Sequence, residues 1–160
     1  MVHRNIATLS GALMVCFLLL TFYEPQFFGL HFYQALIYLI IILMLFYFED
    51  RWAYSFGILT PATWLVLTYM TGLLGGALRQ VGRLMHAQTA SNAVSVIAAI
   101  IAVLSLAMIA TCAYYWKREF AGLGKGWSTF LPGLAIVAAY YGLLVYWFWN
   151  IFPKETAVGL

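Results

Sequence analysis

The 13 charged side chains of this chain all fall outside five long apolar runs. The runs cover residues 5–23, 26–48, 61–78, 93–116 and 129–152. A hydrocarbon layer of about 30 Å takes about 20 helical residues to cross, so each run is long enough to span it. Backbone groups in hydrocarbon find no water, so a spanning segment must be a helix or part of a closed barrel. None of the runs alternates strictly between apolar and polar residues, as barrel strands do. The sequence therefore predicts an all-α integral membrane protein, a bundle of about five transmembrane helices, with residues 1–160 forming one polytopic domain.

Composition excludes the alternatives. The chain is 65% hydrophobic and only 8% charged, whereas a soluble domain carries about 25% charged residues. A dispersed net charge of +3 offers no basic patch for nucleic acid. Cys16 and Cys112 both lie in apolar runs, where a free thiol behaves as a small hydrophobe. The opening MVHRN before an apolar stretch resembles a signal peptide, but residues 6–23 lack a small-x-small cleavage site. The segment is expected to be a true first span.

Helix boundaries follow from the punctuation. Glu24-Pro25 makes a turn, because a residue before proline avoids the helical region. Glu49, Asp50 and Arg51 stop the second run. Thr60-Pro61 has the chemistry of a helix start, threonine as N-cap and proline at the first position, which predicts a third span over 61–78. Residues 79–92, RQVGRLMHAQTASN, are polar yet keep Leu78, Val81, Leu84 and Met85 at helical spacing. The third helix is therefore expected to extend outward or bend into an interfacial segment. Lys117-Arg118-Glu119 and a glycine-rich loop separate the last two spans, with Ser128 or Thr129 as cap and Pro132 in the first turn of the fifth.

Five spans put Arg4, Arg51, Lys117, Arg118 and Lys125 on one side, against Arg79, Arg83 and Lys154 on the other. By the positive-inside rule the N-terminus is expected in the cytoplasm and the C-terminus opposite. Trp52, Tyr54, Tyr114, Tyr115, Trp116 and Trp127 would mark the inner interface, and Tyr146, Trp147 and Trp149 the outer one.

Small residues let membrane helices approach closely. The fourth span, with Ala98, Ala99, Ala102, Ser105, Ala107, Ala110 and Ala113, is thus expected to be the most enclosed. Gly72/Gly76 and Ala138/Gly142 form small-xxx-small pairs suited to contact within the bundle or to oligomerisation. The second span carries no small residue after Ala35, and its bulky surface should face lipid or a partner.

Arg79, Arg83 and His86 form the strongest polar cluster, at spacings that put all three on one helical face. Two arginines one turn apart favour a nearby anion: a lipid phosphate, a carboxylate such as Glu24, or an anionic substrate. His31 lies one turn inside the second span beside Tyr33 and Gln34, and is the candidate contact for a quinone or lipid. His31 and His86 share a depth suited to a bis-histidine haem, but no CxxCH accompanies them, so no cofactor class is specified. No HExxH motif appears, and no metal ligands are predicted. All five acids lie at or beyond a helix end, which disfavours a proton-coupled transporter. No nucleophile has an evident base beside it, so a hydrolase is disfavoured too.

The string GLLGGALRQ at 72–80 resembles the GGxxGAxxR pattern of small fluoride channels, and GWSTF at 126–130 is similar to their STF segment. In that family the glycine–arginine pattern opens a four-span chain. Here it closes the third of five spans, and no family assignment follows.

These residues point to three functional expectations. The first is a non-catalytic accessory or structural subunit of a larger membrane complex, of the kind that handles electrons or light. The second is a small homo-oligomeric transporter or lipid- or anion-binding protein using Arg79, Arg83 and His86. The third is a membrane-embedded enzyme acting on a lipid or quinone around His31. The partners expected are membrane lipids together with other membrane subunits or further copies of the chain.

Overall fold

The computed structural model describes residues 2–47, 50–86, 92–120 and 126–148. These residues form six helices and no strand: α1 (Val2–Tyr23), α2 (Phe28–Phe46), α3 (Asp50–Met70), α4 (Leu73–Met85), α5 (Ala93–Phe120) and α6 (Gly126–Phe148). A short 3₁₀ turn, Pro25–Phe27, leads into α2. Stretches of α1, α2, α5 and α6 are each long and apolar enough to cross a membrane, and the bent pair α3–α4 makes up to five. The chain is thus a helical multi-pass membrane protein by length and composition.

Each spanning helix buries one stripe at three- and four-residue spacing, the face that a 3.6-residue period presents to a neighbour. In α1 the stripe is Ile6, Leu13, Phe17 and Leu20. In α2 it is His31, Gln34, Tyr38, Ile41 and Leu45. In α5 it is Ile101, Ser105, Met108 and Cys112. In α6 it is Gly133, Val137, Tyr141 and Leu144. The opposite face of α2, including Leu36, Leu39, Ile40 and Leu43, is exposed, as its bulk predicts.

Helix α3 departs from the sequence reading. It starts at Asp50 and runs through Pro61, which lies inside the helix. The Thr60-Pro61 start signal is overridden because a non-helical stretch from 50 to 60 would strand backbone groups in hydrocarbon. Pro61 removes only the bond its own N–H would have made to the carbonyl of Gly57.

Helix α3, not the alanine-rich α5, is the most enclosed. It packs against α2, α4, α5 and α6, and residues 53–57 are buried in unbroken succession. A stretch buried at every position has neighbours on all sides. This explains its hydroxyls: a helix screened from lipid can carry Ser55, Thr60, Thr63 and Thr68. Three of these return their protons to a carbonyl one turn back, Ser55 to Arg51 at 2.9 Å, Thr63 to Leu59 at 2.8 Å and Thr68 to Trp64 at 2.9 Å.

Among the described glycines, Gly57 lies in the tightest helix contact. A Cβ there would lie 2.5 Å from Cys112 Sγ and 3.1 Å from Met108 Cε. At Gly133 a Cβ would lie 3.5 Å from Ser55 Cβ. By contrast, a Cβ at Gly72, Gly76 or Gly142 meets nothing within 4 Å among the described residues. Ala138 and Gly142 are exposed. Among the described residues, the glycines of the two small-xxx-small pairs therefore make no close helix contact.

The third span ends at Met70 rather than 78. Thr71 and Gly72 form a turn, with Gly72 at φ 76°, a left-handed value that glycine adopts without a Cβ clash. The chain bends by 88° there, and α4 runs across the end of the bundle. The segment expected to lie along the interface thus begins at Leu73. Asn92 caps the next helix, its Oδ1 accepting from the N–H of Val94 at 2.9 Å. Residues 87–91 of the expected polar segment, residues 149–152 of the expected fifth span, and Lys125 and Lys154 lie outside the described residues.

Candidate functional site

The bend after α3 creates the site. By turning across the bundle end, α4 lays Leu73, Leu74 and Ala77 over a cavity of about 140 Å³. Ala77 is fully packed inward, while Arg79 and Arg83 are exposed on the other side of α4. The amphipathic pattern of this helix thus resolves into an apolar roof and a basic outer face.

The walls come from every spanning helix. Phe17 and Leu20 descend from α1, and Trp64 and Leu67 rise from α3. The rings of Phe17 and Trp64 meet edge to face, centroids 5.8 Å apart and planes at 84°. Val94 and Ala98 close one side from α5, and Leu144 contributes from α6. Phe17 also stacks on Tyr38 at 5.6 Å, which fixes the floor.

Polar groups converge on this apolar space from the α1–α2 corner. Glu24, in the turn before α2, places Oε2 3.0 Å from His31 Nε2. The His31 side chain is 9% exposed and that of Glu24 is 26% exposed, so the pair sits at the rim with the imidazole inward. His31 Nδ1 is buried and has no hydrogen-bond partner among the described residues. Gln34, one turn deeper on α2, is also buried and lines the cavity. Thr68 and Thr71 line it too, but each donates its hydroxyl to a backbone carbonyl, Trp64 at 2.9 Å and Leu67 at 2.9 Å. A carboxylate–imidazole pair is therefore the principal polar feature of the pocket.

The expected site residues divide. His31 lies in the cavity, whereas Arg79 and Arg83 on α4 and His86 in the turn just after it are exposed and do not line it. Arg79 Nε donates to the Gly75 carbonyl at 3.3 Å. Glu24, weighed from sequence as a partner for the arginines, instead holds His31. Its spacing of seven residues from His31, two helical turns, was the available signal. Pro25 masked it by marking the segment as a turn. Phe17, Gln34, Trp64 and the α4 roof were not legible as a site, because they meet only once α4 folds back. No group of three or more metal-binding side chains occurs among the described residues.

No protein-family description matches the chain, and neither a curated protein nor a solved structure shows detectable similarity to it.

Proposed function

We propose that this protein binds a lipophilic small molecule of the membrane, holding its ring-sized polar head in the Glu24–His31 cavity beneath α4. The observation that carries this reading is an ionisable pair set against apolar walls at a span end. Setting a carboxylate and an imidazole against apolar walls costs desolvation that their mutual hydrogen bond only partly returns, so a ligand accounts for the pair better than stability does. The cavity volume of about 140 Å³ matches an apolar cavity of about 150 Å³ that takes up benzene in another protein.

Photo-labelling with an alkyl-phenyl diazirine in lipid nanodiscs tests the reading. Saturable labelling of Phe17, Trp64 or Leu144 is expected, above the non-saturable labelling of lipid-facing positions such as Leu36 and Leu43. Labelling confined to the lipid-facing set would overturn it.

In this reading the N-terminus lies in the cytoplasm, on the loop-charge count, and the cavity opens toward the opposite face. A second reading, an accessory subunit of a larger membrane assembly, draws support from the aromatic face of α2. Phe28 and Phe32 stack there at 5.7 Å, and Phe46 is 73% exposed. Gentle extraction separates the two readings: a defined hetero-complex favours the second, a free chain with a bound small molecule the first.

A further inference from the structure

Which end of a hydrogen bond the ligand must supply is set by the geometry of His31. This inference rests on the proposed binding function and deepens it. A carboxylate has no proton and can only accept, so the imidazole nitrogen facing Glu24 must be the donor. That nitrogen is Nε2, 3.0 Å from Oε2. In a neutral imidazole, protonation at Nε2 leaves Nδ1 as a bare acceptor. Nδ1 is buried and finds no donor among the described residues. A buried acceptor without a partner is costly, and the group that satisfies it must bring an O–H or N–H. The threonine hydroxyls lining the cavity are already committed to carbonyls, and neither Gln34 nor Ser95, whose side chains also line it, bonds to Nδ1 in the structure. That donor is assigned to the ligand.

The remaining walls describe the body that carries this donor. The Phe17–Trp64 edge-to-face pair and the six-membered-ring volume suit an aromatic ring, which gains from edge and face contacts that an aliphatic chain lacks. We infer that the site recognises an aryl alcohol with a lipophilic tail, a phenol or quinol, through hydroxyl donation to His31 Nδ1 while Glu24 fixes the tautomer.

The test uses the full chain in nanodiscs, with empty nanodiscs subtracted, and equilibrium binding of four probes: 4-heptylphenol, 4-heptylanisole, heptylhydroquinone and heptylbenzoquinone. The phenol is expected to bind saturably and at least about tenfold more tightly than the anisole, which has the same ring without the proton. His31→Phe should abolish that preference while retaining the fold, as read by circular dichroism. Hydroquinone binding more tightly than phenol supports the inference with a quinol as occupant, and equal binding supports it with a monophenol. Equal affinity for phenol and anisole would overturn the hydroxyl inference and leave the ring-binding cavity standing. Tighter binding of the benzoquinone than of the hydroquinone would also overturn it, since a carbonyl accepts and needs a protonated Nδ1. No saturable binding of any probe would overturn the cavity reading as well.

Discussion

The two ends of this bundle are built from the same helices and solve the packing problem in opposite ways. At the Arg51 end the space between helices is filled. Tyr54 packs near Tyr115 and Phe120, at 6.4 and 6.1 Å. Trp116 meets Phe120 at 5.5 Å, and the Arg51 guanidinium lies over the Phe120 ring at 5.1 Å. Just beyond, Gly57 brings α3 against Cys112 with no room for a Cβ. At the Glu24 end the helices part around a cavity of about 140 Å³, covered by α4, turned through 88°, rather than by side chains from the spans alone. Protein interiors are normally packed to crystal-like density. The difference teaches that the open end is not slack in the fold, since the chain commits a thirteen-residue helix to roofing it.

This contrast can be broken from the filled end first. Gly57→Val should be the most damaging single change, lowering stability by about 3 kcal/mol or more, because overpacking a tight contact forces backbone movement. Thermal unfolding in detergent checks it, and Cys112→Ala should restore part of the loss to the milder Gly57→Ala. A tolerated Gly57→Val would mean that the filled end is looser than described.

At the open end the expected effects fall on binding rather than stability. Glu24→Gln removes the acceptor-only group that fixes the His31 tautomer. It should weaken retention of the ligand by about tenfold, roughly 1.4 kcal/mol, in a nanodisc binding assay. Unaltered retention would detach the pair from the cavity's function. Gly72→Ala places a Cβ at a left-handed backbone position and should cost about 1 kcal/mol, with faster ligand release as the roof shifts.

Smaller effects sharpen the rest. Tyr33 and Tyr140 clasp α2 to α6, each hydroxyl donating to the other's carbonyl, with rings stacked at 4.1 Å. Tyr140→Phe should cost about 0.6 kcal/mol, the usual scale for a hydrogen bond between membrane helices. Gly142→Leu should change stability least, within about 0.5 kcal/mol, because its side faces open space. A large loss there would reveal a contact with another chain.

The spans were legible in the sequence because charge exclusion from hydrocarbon is severe, and four of the five helix positions follow the apolar runs to within a few residues. What failed were local signals that the membrane overrides. Thr60-Pro61 reads as a start in water, yet α3 passes through it. Alanine content marked α5 as central, but enclosure went to α3, whose crowded Ala53–Gly57 stretch and hydroxyls are equally consistent with a helix hidden from lipid. Of the site, His31 was recoverable as an ionisable residue inside a span. Its connection to Glu24 was masked by the Pro25 turn, and its connection to Ala77 was not legible because α4 reaches the cavity only through the turn at Gly72.

The most direct test of the account is native mass spectrometry of the chain gently extracted from its own membranes, wild type beside Ala77→Phe. The substitution sets a phenyl ring into the roof of a ring-sized space. The account predicts a bound small molecule on the wild-type chain that is absent from the variant, with both folded. A wild-type chain carrying no bound molecule, or the same molecule on both chains, would contradict it.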